Sequence, residues 1–153
     1  MSQDFLLDLL NKNKVSFELV VFKESVKDSK SSASASNFAL DRIVKTILFV
    51  DKSNNVFSVI IRSSERVCRH KVRSFFDCSK LSLIGFDDVS GFVGFPAGGV
   101  PPFGYSAKFI IDSDLGDDEE VLVGGGTIYS LIRIRVRDIK KLCNPLVGNV
   151  KQD

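Results

Sequence analysis

The sequence predicts an α+β fold: a single compact domain with a mixed, mostly antiparallel and barrel-like sheet surrounded by short helices. The strand-like runs are grouped with helical segments inserted among them, whereas strict alternation of strand and helix would indicate a parallel sheet. A chain of 153 residues fits one domain and is long enough to bury a core. No internal repeat or linker divides it, so one domain over residues 1–153 is expected.

The first part of the chain is predicted to form a helix and then a β-hairpin. Ser2 can cap a helix whose apolar residues share one face. The run VSFELVVF (15–22) is rich in β-branched and aromatic residues, which favours a strand, and a short helix is expected at about 32–40. The runs 42–51 and 55–63 are strongly strand-like and are separated only by turn residues, so they are interpreted as a hairpin.

The rest of the chain is predicted to add a basic helix and several short strands. Ser63 or Ser64 is expected to cap a helix from about Glu65 to Phe76, because the apolar positions there follow helical spacing. Asp87 and Asp88 are expected to open a helical turn. The remaining predicted elements are strands at 81–84, 108–112, 120–125 and 130–136 and a closing helical turn at 138–143.

Composition narrows the class of protein. No apolar run reaches the eighteen or so residues that a membrane span needs, and acidic residues interrupt the apolar N-terminal stretch, so no signal peptide is expected. Three cysteines at wide spacing form neither a disulfide framework nor a metal-binding pattern. We therefore expect a reduced, cytoplasmic protein without a membrane partner, a metal or another cofactor.

Charge is unevenly distributed along the chain. Residues 1–80 contain fourteen Lys/Arg against nine Asp/Glu, and residues 81–153 contain seven against ten. The basic half is able to face an anion such as nucleic acid, although charged clusters often only solvate a surface. Composition alone leaves both interpretations open.

The usual catalytic side chains are missing from the sequence. His70 is the single histidine and lies between Arg69 and Lys71, where a surface position on a helix is expected. No G-x-S-x-G motif marks a nucleophilic serine, and the acidic run 117–120 is typical of a solvated loop. An enzyme with this sequence would have to work through other groups.

Two glycine-rich segments are the strongest local signals. The first glycine segment is AGGVPPFG (97–104), and the second is VGGGT (123–127). Glycine allows a ligand to approach backbone N–H groups, and proline stiffens a loop in advance. Neither segment has the spacing of a known nucleotide-binding motif, and from spacing alone two tight connections are the simpler interpretation. Lys45, in the middle of an apolar strand, either points to solvent or projects into a pocket as a fixed positive charge.

Taken in order, LLNKNKVSFELVVF, DRIVKTILF, GGVPPFG and VGGGT resemble the YbaK family of aminoacyl-tRNA deacylases, which is related to the editing domain of prolyl-tRNA synthetase. The resemblance covers roughly residues 6–143, and its most specific parts are the strand with Lys45 and the first glycine segment. It implies a metal-independent, substrate-assisted hydrolysis of a mischarged tRNA, in which a hydroxyl or thiol of the substrate takes part. The implied partner is the aminoacyl 3′ end of tRNA, with a synthetase as a candidate second partner and no role for DNA.

The resemblance also assigns roles to residues. Lys45 would hold the phosphate of the terminal adenosine or orient the substrate, and the backbone of Gly98 and Gly99 would line the aminoacyl group; these three are the candidate catalytic residues. The candidate substrate-binding residues are Phe22, Val100, Pro101, Gly124, Gly125, Gly126 and Thr127.

Several positions depart from the family pattern. Pro101 replaces a common serine, Phe22 aligns with a tyrosine, Gly124 with a serine, and Leu131 falls near an aspartate. Each change removes a polar group, so the pocket is expected to be more apolar, the amino acid need not be cysteine, and catalysis could be weak or lost.

Two sets of arginines are candidate contacts for tRNA phosphates. Arg66, Arg69 and Arg73 are predicted to share one face of the basic helix, and they are the predicted tRNA-binding residues. A second set, Arg133, Arg135 and Arg137, alternates along a predicted strand. For both sets a solvated surface is the alternative.

Three hypotheses about function follow. The first is a trans-acting deacylase that edits mischarged tRNA, of the tRNA-Pro type. The second is a non-catalytic tRNA-binding or synthetase-associated module that kept the fold. The third is a thiol hydrolase that uses Cys68, Cys78 or Cys143, none of which lies in a glycine segment.

Overall fold

The computed structural model describes residues 2–153, which form two β-sheets with short helices around them. The strands are β1 (Phe17–Val21), β2 (Val44–Val50), β3 (Val56–Arg62), β4 (Ser82–Leu83), β5 (Lys108–Asp112), β6 (Glu120–Gly124), β7 (Ser130–Arg135) and β8 (Leu146–Gly148). The helices are α1 (Gln3–Lys12), α2 (Ser29–Ser36), α3 (Arg69–Phe76), α4 (Val89–Val93) and α5 (Val136–Cys143), with 3₁₀ turns at Leu40–Arg42 and Phe86–Asp88.

Antiparallel pairing dominates the two sheets. The larger sheet has the order β4-β2-β3-β5-β8, in which only the β3–β5 and β5–β8 pairs are parallel. The smaller sheet, β1-β7-β6, is antiparallel throughout. A parallel bridge between Ile43 and Leu122 links the entry of β2 to β6. The predicted mixed, mostly antiparallel sheet is therefore confirmed, in the form of two open sheets that adjoin at this bridge.

The main core lies between the sheets and α1. Leu6 and Leu10 of α1 are fully buried against residues of both sheets, including Ile60 and Ile132. Each such side chain contributes about 1.5–3 kcal/mol when it leaves water. A second cluster, which includes Phe57 and residues of α3, covers the opposite face of β3. Because β3 is covered on both faces, its residues are apolar almost without interruption.

The cap of α1 and the β2–β3 hairpin are confirmed, whereas the short helix expected at about 32–40 lies earlier, at Ser29–Ser36. The side chain of Ser2 caps α1 by accepting a hydrogen bond from the backbone N–H of Phe5. The β2–β3 hairpin pairs in continuous antiparallel register from Val44 opposite Arg62 to Val50 opposite Val56. These elements depend mainly on local sequence, which is why the pattern identified them.

The predicted start of the basic helix is wrong. The helix α3 begins at Arg69, with Cys68 as its N-cap, rather than at Glu65. The preceding residues pair with the C-terminal segment instead: Val67 bridges to Lys151, and the carbonyl of Arg66 accepts from the N–H of Gln152 at 2.8 Å. This long-range pairing overrides the local helical pattern, so Arg66 lies outside the helix that was expected to carry it.

The C-terminal region also differs from expectation. Strand β7 ends at Arg135, and Arg137 belongs to α5, so the three arginines predicted to alternate on one strand are divided between two elements. Strand β8 was not predicted, because three residues after a proline carry little pattern of their own. It forms by pairing in parallel with β5, and the ring of Phe75 packs on Gly148, where a Cβ would lie 2.2 Å from the ring.

Candidate active site

A cleft of about 440 Å³ opens beside the middle of β2. Its walls come from four parts of the chain that are distant in sequence: the segment leading into α2, strand β2, the residues from β4 to α4, and the two glycine segments. The cleft, as the name is used below, is bordered by Val26–Ser29, Ser32, Ile43–Leu48, Ser63, Leu83, Ile84, Phe86, Val89, Ala97, Gly98, Val100, Val123, Gly124 and Leu131.

Lys45 is half-buried at the cleft, and its side chain has no ion-pair or hydrogen-bond partner within residues 2–153. Burial lowers the pKa of its ammonium group below the ordinary 10.5, the positive charge of Arg66 lowers it further, and Glu65 partly offsets both. Lys45 also borders a second hollow of about 550 Å³, which is lined by Arg66 and Ser63 among others. A half-buried cation without a partner is suited to bind an anion, which satisfies both its charge and its hydrogen-bond donors.

The two glycine segments contact each other through their backbones. The N–H of Gly126 donates to the carbonyl of Gly99 at 2.8 Å. A Cβ on Gly124 would lie 2.3 Å from the carbonyl oxygen of Val100, and one on Gly99 would lie 2.7 Å from the backbone of Thr127. Side chains are excluded at these positions because the segments approach so closely. The interpretation of the glycine segments as tight connections is thus correct for part of each segment. Gly98, Val100 and Gly124 also border the cleft.

Two residues of the first glycine segment that border the cleft have backbone donors left free by the fold. Gly98 has a φ of +87°, and a Cβ there would lie 2.7 Å from Lys27. The N–H of Gly99 is used by the carbonyl of Pro96 at 2.9 Å. The N–H groups of Gly98 and Val100 have no intramolecular acceptor in the part of the chain that the structure describes, so they are the candidates to donate to an oxygen of a ligand.

The start of α2 forms one rim of the cleft, which sequence reasoning missed. Asp28 and Ser31 form a reciprocal capping box, and hydrogen bonds from Ser31 lower the pKa of the Asp28 carboxyl. Ser29 shares a hydrogen bond of 2.9 Å with Ser63, and buried Ser32 donates to the carbonyl of Val26. The capping pattern Asp-x-x-Ser was a usable signal for this helix start, but the Ser-rich composition obscured it.

The opposite wall is apolar and was also not predicted. It is formed by Leu83, at the end of the edge strand β4, and by Ile84, Phe86 and Val89, which follow that strand. Leu131 adds another apolar side chain to the cleft.

Ten residues were expected at the catalytic and substrate-binding site, and the structure divides them into two groups. Four border the cleft directly, namely Lys45, Gly98, Val100 and Gly124. The other six do not border it and are called the supporting group below: Gly99, Pro101, Gly125, Gly126, Thr127 and Phe22.

The supporting group has visible structural duties. Thr127 shares a 2.7 Å hydrogen bond with Ser130, whose hydroxyl donates to the carbonyl of Gly125. The side-chain amide of Gln3 in α1 donates to the carbonyl of Gly125 and to the hydroxyl of Ser130. Phe22 packs in a small apolar cluster with Val26 rather than at the cleft surface. These contacts fix the glycine backbone in place.

The family model of the aminoacyl-tRNA editing domain matches residues 23–142. The chain belongs to this family. Comparison with curated protein sequences gives no match.

Several solved structures share the fold of this domain. A hypothetical protein superposes on this editing domain with a TM-score of 0.89 at 20% identity, over 97% of this chain and 99% of the other. A protein proposed to be a trans-editing enzyme for prolyl-tRNA synthetase superposes with a TM-score of 0.87 at 23% identity, over 99% of this chain and 97% of the other. A protein of Marinobacter aquaeolei VT8, proposed to act in signal transduction, matches at a TM-score of 0.70 and 11% identity, over 98% of this chain but 31% of the other.

The arginines that were expected on one helical face of the editing domain occupy different environments. Arg66 is exposed beside Lys45 in the second hollow. Arg69 stacks 5.2 Å from the ring of Phe49 and donates to a backbone carbonyl. Arg73 lies on α3 in a separate shallow hollow. Only Arg66 is therefore placed at the candidate site, and the prediction of a single basic face is wrong.

The second set of arginines is paired with the acidic run of the same domain. Arg133 pairs with Glu120 at 3.1 Å, Arg137 pairs with Asp118, and Arg135 donates to the carbonyl of Asp118. The acidic run expected to be merely solvated is thus the counter-charge of these arginines.

The other reactive side chains of the editing domain lie away from the cleft. His70 is exposed on α3, and Cys68, Cys78 and Cys143 are free and partly buried. Burial raises the pKa of the Cys143 thiol to about 12, which keeps it protonated and unreactive near neutral pH. Within the described residues, no group of three or more His, Cys, Asp or Glu side chains is placed to hold a metal ion, and no helix there is long and apolar enough to cross a bilayer.

Proposed function

We propose that this editing domain is a trans-acting deacylase that hydrolyses the ester of a mischarged tRNA of the tRNA-Pro type, without a metal and with assistance from the substrate. The observation that carries the proposal is the half-buried, unpartnered Lys45 at the same cleft as the backbone donors of the first glycine segment. The family membership and the name of the prolyl trans-editing relative support the same assignment.

The cleft offers two kinds of group to an aminoacylated RNA end. Lys45 binds a phosphate or a ribose oxygen, and Arg66 in the adjoining hollow contributes a second positive charge. The N–H groups of Gly98 and Val100 donate to the ester carbonyl, which develops negative charge when it is attacked. The apolar side chains of Ile84, Val89 and Leu131, which also border the cleft, receive the side chain of the amino acid.

The proposed chemistry uses a hydroxyl of the substrate, because the cleft has no suitable protein base. Asp28 is the only carboxylate that borders the cleft among the described residues, and it is occupied in capping α2. In the proposed step, water attacks the carbonyl carbon of the ester. The neighbouring ribose hydroxyl accepts a hydrogen bond from this water and relays the water's proton to the ester oxygen of the ribose. The ester C–O bond breaks, the ribose oxygen takes the proton, and the products are the free amino acid and uncharged tRNA.

A deacylation screen tests this function. Purified protein in buffer with a chelator is incubated with Ala-, Cys- and Ser-tRNA-Pro, with correctly charged Pro-tRNA-Pro and with a wider panel of mischarged tRNAs. We expect at least one mischarged tRNA to lose its amino acid faster than in buffer alone. Pro-tRNA-Pro should be hydrolysed no faster than in buffer. If every tRNA of the panel is deacylated only at the rate seen in buffer, the proposed deacylase function is rejected.

A non-catalytic tRNA-binding or synthetase-associated module is the second candidate. Leu131, which borders the cleft, and the buried Pro101 favour it, because the family resemblance implies a polar group at or near each position. Titration of the protein with aminoacylated tRNA in the same buffer separates the two functions. Saturable binding without hydrolysis would favour the module, and co-purification with prolyl-tRNA synthetase would name its partner.

A further inference from the structure

The cleft has an exposed apolar lip. The side chain of Phe86 is 70% exposed, the highest value among the large apolar residues that the structure describes, and Leu83 is 58% exposed. Both border the cleft. Adjacent exposed apolar side chains at the border of a candidate site are suited to contact a ligand, whereas single exposed ones elsewhere on a surface need no explanation.

The lip rests on a well-anchored backbone. Strand β4 pairs with β2, with Leu83 opposite Phe49, and the N–H of Ile84 donates to the carbonyl of Leu48 at 3.0 Å. Buried Ile84 and Val89 hold the 3₁₀ turn that carries Phe86 between them. Phe86 is therefore presented to solvent by a fixed turn, which lowers the entropy lost when a ligand stacks on it.

The charges around the lip select the kind of occupant. Lys45 borders the same cleft, and Arg66 borders the hollow beside it. On β2, Leu48 beside the lip lies three residues after Lys45, which is about 10 Å along a strand. This length is comparable with the distance from the phosphate to the base of one nucleotide. A flat apolar surface at one end and a cation at the other match a nucleotide better than they match a peptide.

We propose that Phe86, flanked by Leu83, is the stacking platform for the terminal base of the RNA 3′ end, while Lys45 holds its phosphate. Aromatic side chains bind bases in this way without reading their identity, since every base has a π-face. The inference rests on the proposed function in taking an RNA 3′ end as the occupant, and it adds a substrate-binding residue that the sequence did not indicate.

Steady-state deacylation provides the first test. We expect Phe86→Ala to raise KM by about fivefold to a hundredfold and to change kcat little, because stacking binds the ground state and the transition state equally. Phe86→Trp should keep the wild-type KM. The matched control is Phe92→Ala, which removes another exposed phenylalanine of the next helix that does not border the cleft.

Binding of uncharged tRNA provides a test that does not need catalysis. When the terminal adenosine is replaced by 2-aminopurine ribonucleoside, wild-type protein, Phe86→Trp and Phe92→Ala should quench its fluorescence, and Phe86→Ala should not. Removing the terminal nucleotide from tRNA should weaken binding to the wild type and have little further effect in Phe86→Ala, because the two changes remove the same contact.

The outcomes separate the platform from the enzyme. Quenching that depends on Phe86 in a protein that hydrolyses no ester supports the platform and rejects the deacylase. Deacylation with an unchanged KM and unchanged quenching in Phe86→Ala rejects the platform and leaves the deacylase intact. If sedimentation shows that the wild type is a dimer and that Phe86→Ala dissociates it, the lip is a contact between copies of the chain and the platform is rejected. Failure of the wild type to bind tRNA at all would reject both the platform and the deacylase.

Discussion

Lys45 shows a conflict between stability and function within one residue. Its ammonium group is partly removed from water and receives no ion pair from the described residues, which disfavours the charged form and lowers its pKa below 10.5. The folded protein thus bears a cost for holding this charge at the cleft. Such a cost is common where a group is kept ready for a ligand rather than for the fold.

Replacing this lysine should therefore separate the two properties. We expect Lys45→Met to reduce deacylation efficiency by about tenfold to a few hundredfold, since a charged hydrogen bond contributes roughly 1.5–3 kcal/mol, and to raise the melting temperature. Lys52→Met, which changes an exposed lysine of the β2–β3 turn, is the control and should change neither. A Lys45→Met protein that turns over subsaturating substrate at the wild-type rate would contradict the assignment.

The pH dependence of this stability difference has a definite sign. The unfolded state keeps the ordinary pKa of 10.5 and the folded state has a lower one, so unfolding takes up a proton in the interval between them and stability rises with pH there. The stability advantage of Lys45→Met should thus be largest near neutral pH and should shrink as pH approaches 10.5. Urea titrations of both proteins from pH 7 to pH 10.5 measure it.

Some of these residue roles could be predicted from the sequence and others could not. Lys45 could be found because a charged residue interrupts an otherwise apolar strand. Phe86 and Ser29 could not, since an exposed phenylalanine and a serine in a Ser-rich stretch look ordinary until the fold places them at the cleft. Gly99 was expected at the ligand, but its N–H already serves the carbonyl of Pro96.

At the scale of elements, the site depends on two loops that touch through their backbones. Gly124→Ala should place a methyl group 2.3 Å from the Val100 carbonyl oxygen, and relieving that overlap requires one segment to move. We expect a loss of about 1–3 kcal/mol in the free energy of unfolding, as for overpacked cores, together with weaker binding of the RNA end.

A glycine elsewhere in the chain provides the control. A Cβ on Gly91, in α4, meets nothing within 4 Å, and alanine lowers the entropy of the unfolded chain relative to glycine. Gly91→Ala should be neutral or stabilising by up to about 1 kcal/mol. Denaturant unfolding of both variants compares them directly, and equal effects would mean that the glycine segments can separate without cost.

Secondary-structure elements that depend on interactions close in sequence were predicted more accurately than those that depend on distant parts of the chain. Strands β2 and β3 were predicted because their residues are strongly strand-forming and are joined by a short turn. The start of α3 was wrong because hydrogen bonds from the C-terminal segment, including that between Gln152 and Arg66, decide it. No local window of sequence contains that information.

At the scale of the whole molecule, one partly buried arginine joins several elements. Arg62, at the end of β3, donates to Glu119 and Asp114 and to the carbonyl of Asp41, and its side chain is 13% exposed. The guanidinium group holds the pKa of both carboxyls below their ordinary values of 4.5 and 3.8. It therefore ties the loop between β5 and β6 to the hairpin that carries Lys45.

Loss of this arginine should destabilise the fold and reduce its sensitivity to acid. We expect Arg62→Met to cost about 1.5–3 kcal/mol near neutral pH. Because the carboxyl pKa values are depressed in the folded state, their contribution is present above about pH 4.5 and is lost as the pH falls through the folded values. Arg137→Met, which removes an exposed pair with Asp118, should cost less than about 1 kcal/mol.

Urea unfolding at pH 7, 5 and 3 tests this prediction. The difference between the wild type and Arg62→Met should narrow as the pH falls, whereas a constant difference would show that the arginine acts through packing alone.

The fold class was predictable, but the arrangement of its layers was less so. Grouped strands and short helices indicated an α+β domain, and the proportion of antiparallel pairing was correct. The division into two sheets and the parallel addition of β8 depend on which strands meet across the whole chain, and three residues after Pro145 do not encode that choice locally.

The backbone contact between the glycine segments has a consequence for engineering. The geometry of the cleft floor is set by main-chain atoms, which every substitution of a neighbouring side chain leaves in place. The apolar lining, by contrast, consists of side chains that project from separate elements, chiefly Ile84, Val89 and Leu131. Under the proposed function, a combinatorial library confined to these three positions should therefore change which amino acid is accepted, while the main-chain contact between the glycine segments stays in place.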